Sequence, residues 1–186
     1  MSAALAPSFA LFETPIGPCA IAWTDQAVVA FQLPNGTAER TRARLRRRWP
    51  GAVEAPPTGW IADTIGKVRR LLNGEKVDLT DVPLDFEAAP DFHRQVYEVA
   101  RTVPAGQTTT YGEIAKRLGV PHEAREVGQA LGRNPIAVIV PCHRVLGADG
   151  KMGGFSANGG IGTKRRMLEI EQAAVIGAGP LFESRQ

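Results

Sequence analysis

Apolar positions fall at strand spacing early in the chain and at helical spacing later. Residues 9–33 read as short strands. Within them Ala20-Ile21-Ala22-Trp23 and Ala27-Val28-Val29-Ala30-Phe31 flank the turn-like Thr24-Asp25-Gln26, which predicts a hairpin. A short arginine-rich helix is expected over 39–49. A second helix aligns Ile61, Ile65, Val68, Leu71 and Leu72 on one face and closes at Asn73-Gly74. Asp78 to Pro90 reads as an extended linker and the best candidate domain boundary. Beyond it the spacing turns helical. Asp91 can cap a helix that buries Phe92, Val96, Val99 and Val103, and Pro104-Ala105-Gly106 breaks it. Thr110-Tyr111-Gly112-Glu113 matches a capping box for a helix that runs through Leu118 to Gly119. Another starts near Pro121, turns Ala124, Val127, Ala130 and Leu131 inward and stops at Gly132. Such a pair is a helix-turn-helix candidate.

The run Ile136-Ala137-Val138-Ile139-Val140 reads as a buried extended segment, ended by Pro141, which has no N–H for a sheet ladder. Asp149-Gly150 between apolar flanks signals a hairpin. Residues 153–160 form a glycine-rich loop expected to be flexible and to cover a site. A last helix, roughly Gly162 to Gln172, carries Met167, Leu168 and Glu171, and the tail from Ala173 is expected to be peripheral. The pattern gives an α/β (α+β) chain: a strand-and-helix scaffold domain over 1–88, a helical domain over 89–172 and a tail over 173–186.

Bulk properties narrow the class. The chain has 186 residues, 44% hydrophobic and 22% charged, as an ordinary globular protein does. No apolar run approaches the roughly 20 residues of a membrane span. The opening Met1-Ser2-Ala3-Ala4-Leu5-Ala6-Pro7 lacks a basic n-region, so no secretory signal is expected. Cys19 and Cys142 are the only cysteines, which favours a reducing compartment, the cytoplasm. Residues 91–171 hold 11 Lys/Arg against 8 Asp/Glu, whereas 1–90 hold 10 of each. That surplus mildly favours an anionic partner such as nucleic acid. The arginines between 40 and 48 read either as a phosphate patch or as a solvated helix face. The second is favoured, because no aromatic or glycine-rich element accompanies them.

The candidate chemistry sits at Pro141-Cys142-His143-Arg144. A thiol at the rim of a rigid element, beside an imidazole and a cation, has what it needs to become a thiolate, although a buried structural thiol is the commoner fate of an intracellular cysteine. Such a histidine usually needs a carboxylate to orient it, and Glu171 of the last helix is a candidate. Cys19 is expected to be a small buried hydrophobe. Cys142, His143, His93, His122 and Cys19 show no paired zinc-ligand spacing, so no metal is expected.

Asn134-Pro135 followed by Ile139-Val140-Pro141-Cys142-His143-Arg144-Val145 resembles the signature of the O6-alkylguanine-DNA alkyltransferases, single-turnover DNA repair proteins. The resemblance runs from about Phe92 to Glu171 and includes Thr110 to Ala115 and Ala124 to Gly128; residues 1–90 match loosely, through Thr14 to Pro18. It implies a ribonuclease H-like first domain and a helix-turn-helix in the second. It implies that Cys142 takes the alkyl group from O6-alkylguanine in double-stranded DNA, with O4-alkylthymine left open as a second substrate. His143 would take the thiol proton through a water, held by Glu171, while Asn134 holds the active-site backbone. Tyr111 would aid rotation of the nucleotide and protonate the leaving base, and Arg125 would enter the base stack. The DNA face would comprise Thr110, Tyr111, Ala124, Arg125, Gly128 and Arg144, and the base pocket Pro141, Val145, Phe155 and Ser156. No cofactor, no membrane and a monomer are expected.

Four features depart from the family pattern. Phe155 stands where many members have tyrosine, the loop after it is slightly longer, Arg133 directly precedes Asn134, and Ala137 replaces a frequent proline. Three rivals remain: a lesion-binding relative, for which the cysteine is commonly tryptophan; a Cys–His hydrolase, which would turn over repeatedly; and a helix-turn-helix regulator, for which Cys142 would be dispensable.

Overall fold

The computed structural model describes residues 6–86 and 88–174. The strand-spaced region forms β1 (Ser8–Thr14), β2 (Gly17–Trp23) and β3 (Val28–Gln32), joined as successive hairpins, and the short β4 (Val53–Glu54) adds in parallel to β1. The sheet order is β3-β2-β1-β4. Side chains alternate across a strand, and both faces of β2 are covered. Cys19 and Ile21 join the core with Phe12, Phe31 and helix α2 (Gly59–Leu72). Ala20 and Ala22 pack on the other face with Phe9 and Leu45 of helix α1 (Ala38–Arg48). The five apolar residues expected on α2 are all buried, Asn73 caps it, and Gly74 follows with φ 94°, the left-handed conformation that glycine adopts without strain.

Residues 78–86, expected as an extended linker, are packed rather than free and turn over 79–82, where Val82 N–H donates to the Leu79 carbonyl. Val28 donates to the Pro83 carbonyl and Asp85 to that of Val28, while Leu79, Val82 and Phe86 are buried. Arg101, at the end of α3 (Asp91–Arg101), donates to the carbonyls of Leu79, Thr80 and Val82. Pro90 caps α3. Asp91, expected as the cap, is the first helical residue and pairs with Arg94, three residues on.

Thr110 does cap α4 (Tyr111–Arg117), accepting from the Glu113 N–H at 3.1 Å. The reciprocal half of the box is replaced, because the Glu113 carboxylate pairs with Lys116 instead. Gly119, φ 76°, turns the chain toward α5 (Ala124–Gly132), which begins a few residues later than expected. Tyr97 ties α3 to α5 by donating to the Ala130 carbonyl.

The apolar run 136–140 is buried as expected but is not a strand. Ile139 N–H donates to the Ala137 carbonyl and Val140 N–H to that of Ile136, a tight turn centred on Val138 at φ 70°. A β-branched residue in that region is strained. The segment is held by Phe31, whose N–H donates to the Pro135 carbonyl. Nor does Asp149-Gly150 close a hairpin. Ala148–Gly150 is one 3-10 turn, and β6 (Val145–Leu146) pairs in parallel with β5 (Thr109–Thr110), far away in sequence. Helix α6 (Gly160–Ile170) follows, with Glu171 as its C-cap. Ala173 is buried and Ala174 donates to the Gly106 carbonyl, so the start of the expected tail is packed; residues 175–186 lie outside the described residues.

Candidate active site

Three local choices bring the site together. The Val138 turn delivers Pro141, after which Cys142–Arg144 form one 3-10 turn. The β5–β6 pairing sets that turn beside the start of α4, which carries Tyr111. Helix α6 packs on the turn and presents Lys164, Met167, Leu168 and Glu171 at spacings that share one face.

His143 is fully buried, its Nε2 2.8 Å from Glu171 Oε1. Arg144 donates from Nε to Glu171 Oε2 and from Nη2 to Oε1, each at 2.8 Å, and from Nη1 to the Val103 carbonyl at 2.7 Å. Burial works against the Glu171 carboxylate, yet His143 and the Arg144 guanidinium bring its pKa down to about 2. An ionised carboxylate only accepts, so His143 Nε2 carries the proton. Burial, helped by Arg144 and Lys164 and opposed by Glu171, pushes the His143 pKa down, which makes the ring neutral. Its Nδ1 then holds a lone pair, and that atom is buried without a partner among the described residues.

Cys142 is 8% exposed. Burial raises its pKa, while a hydrogen bond from Asn134, the Lys164 charge and backbone N–H groups oppose the rise. The adjacency to His143 and Arg144 suggested a ready thiolate; both side chains instead turn to Glu171, and the resting group is a thiol. Asn134 also fastens the strained turn, donating from Nδ2 to the Val140 carbonyl at 3.0 Å and accepting from Ile136 N–H at 2.9 Å.

Lys164 was not anticipated, because lysine is expected in water. It is 1% exposed, with Nζ 2.7 Å from the Val145 carbonyl and 3.4 Å from the Tyr111 hydroxyl. Extending the Met167, Leu168, Glu171 face back one turn would have found it. Tyr111 lies against Gly153, where an added Cβ would stand 2.8 Å from the hydroxyl. Burial and the neighbouring Cys142 keep that hydroxyl protonated by raising its pKa. Cys19 is buried near Thr14, its pKa pushed up to about 12 by burial, which makes it inert. Among the described residues no three His, Cys, Asp or Glu side chains cluster as a metal site would need.

A family model described as the DNA-binding domain of 6-O-methylguanine DNA methyltransferase matches residues 91–173. A methylated-DNA–protein-cysteine methyltransferase of Mycobacterium bovis is 37% identical over 171 residues, which cover 92% of this chain and 96% of that protein. The chain belongs to this methyltransferase family. Two solved structures agree. The Mycobacterium tuberculosis OGT in complex with DNA superposes with TM-score 0.72 at 36% identity, covering 88% of this chain and 92% of that one. The O6-methylguanine-DNA methyltransferase of Pyrococcus kodakaraensis gives TM-score 0.66 at 30% identity, covering 88% and 98%.

In this methyltransferase Cys142, His143, Glu171 and Asn134 are brought together, with Tyr111 linked to them through Lys164. Arg125 is exposed on the first turn of α5, apart from that set, and Ala124 and Gly128 are half-buried on the same helix. Arg144, expected at DNA, is 6% exposed with its guanidinium on Glu171, so it braces the site rather than meeting phosphate. Phe155 and Ser156 line a cavity of about 550 Å³ together with Cys142, and the Ser156 hydroxyl donates to the Gly132 carbonyl. Pro141 and Val145 are buried outside that lining.

Proposed function

We propose that this methyltransferase repairs alkylated double-stranded DNA by moving the alkyl group from O6 of guanine irreversibly onto Cys142. The observation that carries the reading is a thiol that lines an open cavity beside a neutral histidine whose Nδ1 lone pair has no partner among the described residues. In this reading a water bridges the two groups as a proton path. The thiol proton passes to His143 Nδ1, and Glu171, ionised and braced by Arg144, stabilises the resulting imidazolium. The sulfur attacks the alkyl carbon opposite O6. A carbon–sulfur bond forms as the carbon–O6 bond breaks, and the electron pair stays on guanine. The Tyr111 hydroxyl, protonated and close to the Lys164 ammonium, is the proton donor for the leaving base.

The product is a thioether, which water does not cleave, so each molecule acts once and the reaction as written uses no cofactor. Asn134 and Lys164 favour the thiolate as it forms. Helices α4 and α5 act as the helix-turn-helix, with Thr110, Tyr111, Ala124 and Gly128 toward the duplex. Arg125 fills the gap left by a flipped guanine, offsetting part of an unstacking cost of a few kcal/mol. The mixed sheet over 1–88, with its ribonuclease H-like character, serves as a scaffold for the acceptor region 89–172. Among the described residues no helix is long and apolar enough to cross a membrane. A monomer in the cytoplasm completes the reading.

Turnover tests it. With a molar excess of duplex containing O6-methylguanine, repaired guanine should rise to one equivalent per protein and stop. Continued release beyond one equivalent would contradict an irreversible acceptor.

A further inference from the structure

We propose that the cavity beyond Cys142 is a subsite for O6 substituents that end in an anionic group, read by Arg44, Arg47 and Arg48. This deepens the alkyltransferase reading and rests on it. The cavity has a volume of about 550 Å³. A flipped guanine against Phe155 and Ser156 takes part of that space, and a methyl group, comparable to a water molecule whose share of liquid volume is about 30 Å³, fills little of the rest. Cys142 lines it together with the short side chains of Ala137 and Ala157, and its wall continues to β3 and α1.

The far wall is cationic. Arg44, Arg47, Arg48 and Arg133 line the cavity, and no aspartate or glutamate does so among the described residues. The arginine run divides by face. Arg42 and Arg46 pair with Glu54, whereas Arg44, Arg47 and Arg48, spaced to share one face, have no ion-pair partner among the described residues. A guanidinium offers paired donors that match the two oxygens of a carboxylate. A DNA phosphate is the less favoured ligand. The cavity meets α5 at its last turn, Leu131 to Arg133, while Arg125 stands on the first turn. The reaction is unchanged: Cys142 sulfur bonds to the first carbon of the substituent, the bond to O6 breaks, guanine leaves with the electron pair and gains a proton. The carboxylate takes no part and stays against the arginines.

The test uses the full chain and three free bases, which carry no phosphate: O6-benzylguanine, O6-(4-carboxybenzyl)guanine and O6-(4-aminomethylbenzyl)guanine. Alkylation rates are read by intact mass at low and high salt. The carboxy probe should react about tenfold faster than the benzyl probe, the size of one partly solvated charge-assisted contact. The aminomethyl probe should be slowest, and the spread should shrink with salt. Arg44→Glu with Arg47→Glu should reverse the order of the charged probes, as should Arg47→Glu alone to a smaller extent. Equal rates for the three probes with the unaltered protein would overturn the subsite without any variant. So would a variant that weakens duplex binding yet keeps the probe order, since the arginines would then be phosphate contacts. Repair of O6-methylguanine duplex with no reaction of any free base would also overturn it. Failure with every probe and with the methylated duplex would instead sink the alkyltransferase reading beneath it.

Discussion

Cys142 is held as a thiol by burial, and the surrounding residues decide when it ionises. Its raised pKa predicts that alkylation by O6-benzylguanine accelerates with pH throughout the neutral range, because each rise in pH increases the thiolate fraction. Lys164→Ala removes a charge that favours the thiolate, so the rate should drop about tenfold and the pH profile move upward, with Lys164→Arg recovering part of both. An unshifted profile would reduce Lys164 to a packing role. The Glu171 carboxylate gives a second prediction, read from urea midpoints. Its folded pKa of about 2 lies below its ordinary value near ~4.3, so it stabilises the protein above that value and the contribution fades as pH falls toward 2. His143 is shifted down as well; an unfolded histidine protonates below about pH 6.5 and the buried one resists, so stability should begin to decline there. Glu171→Ala leaves the Arg144 guanidinium buried without its carboxylate and should cost about 3 kcal/mol.

At the scale of elements, the α4–α5 junction turns on Gly119. Its φ of 76° suits glycine, and an added Cβ would meet no atom within 4 Å, so Gly119→Ala should cost about 1 kcal/mol through the backbone alone, measurable by thermal melting. On α5, Arg125→Ala should slow repair in duplex DNA at least about tenfold while leaving reaction with a free base unchanged, given a few kcal/mol for unstacking. Equal slowing on both substrates would remove its proposed place in the base stack. Local signals explain which elements were legible in the sequence. The α2 face, the Thr110 cap and the hairpin around Asp25 depend on neighbours a few residues away, and each formed. Residues 136–140 were legible as buried but not as a turn, because an apolar run records burial without recording backbone direction. Asp149-Gly150 formed no hairpin, and Val145–Leu146 before it pairs instead with Thr109–Thr110, a contact that no local pattern encodes.

At the scale of the molecule, one hydrophobic core runs from Phe12 and Ile21 of the sheet through Ile65 and Val68 of α2 to Val127, Val140 and Cys142. The first 88 residues therefore do more than precede the acceptor region: Phe31 holds the segment that ends at Cys142, and α1 closes the cavity's far side. The signature around Cys142 made His143, Glu171 and Asn134 legible before any geometry. Arg144 and Lys164 were not, because their burial depends on the ionised Glu171 and on the Val145 carbonyl, partners that only the assembled fold brings close. The central claim is transfer to Cys142, and intact-mass spectrometry tests it most directly. After mixing with duplex containing O6-methylguanine, the protein should gain one methyl group, mapped to the Cys142 peptide and absent in Cys142→Ala. DNA binding with no gain in mass, or a gain that survives Cys142→Ala, would contradict the account.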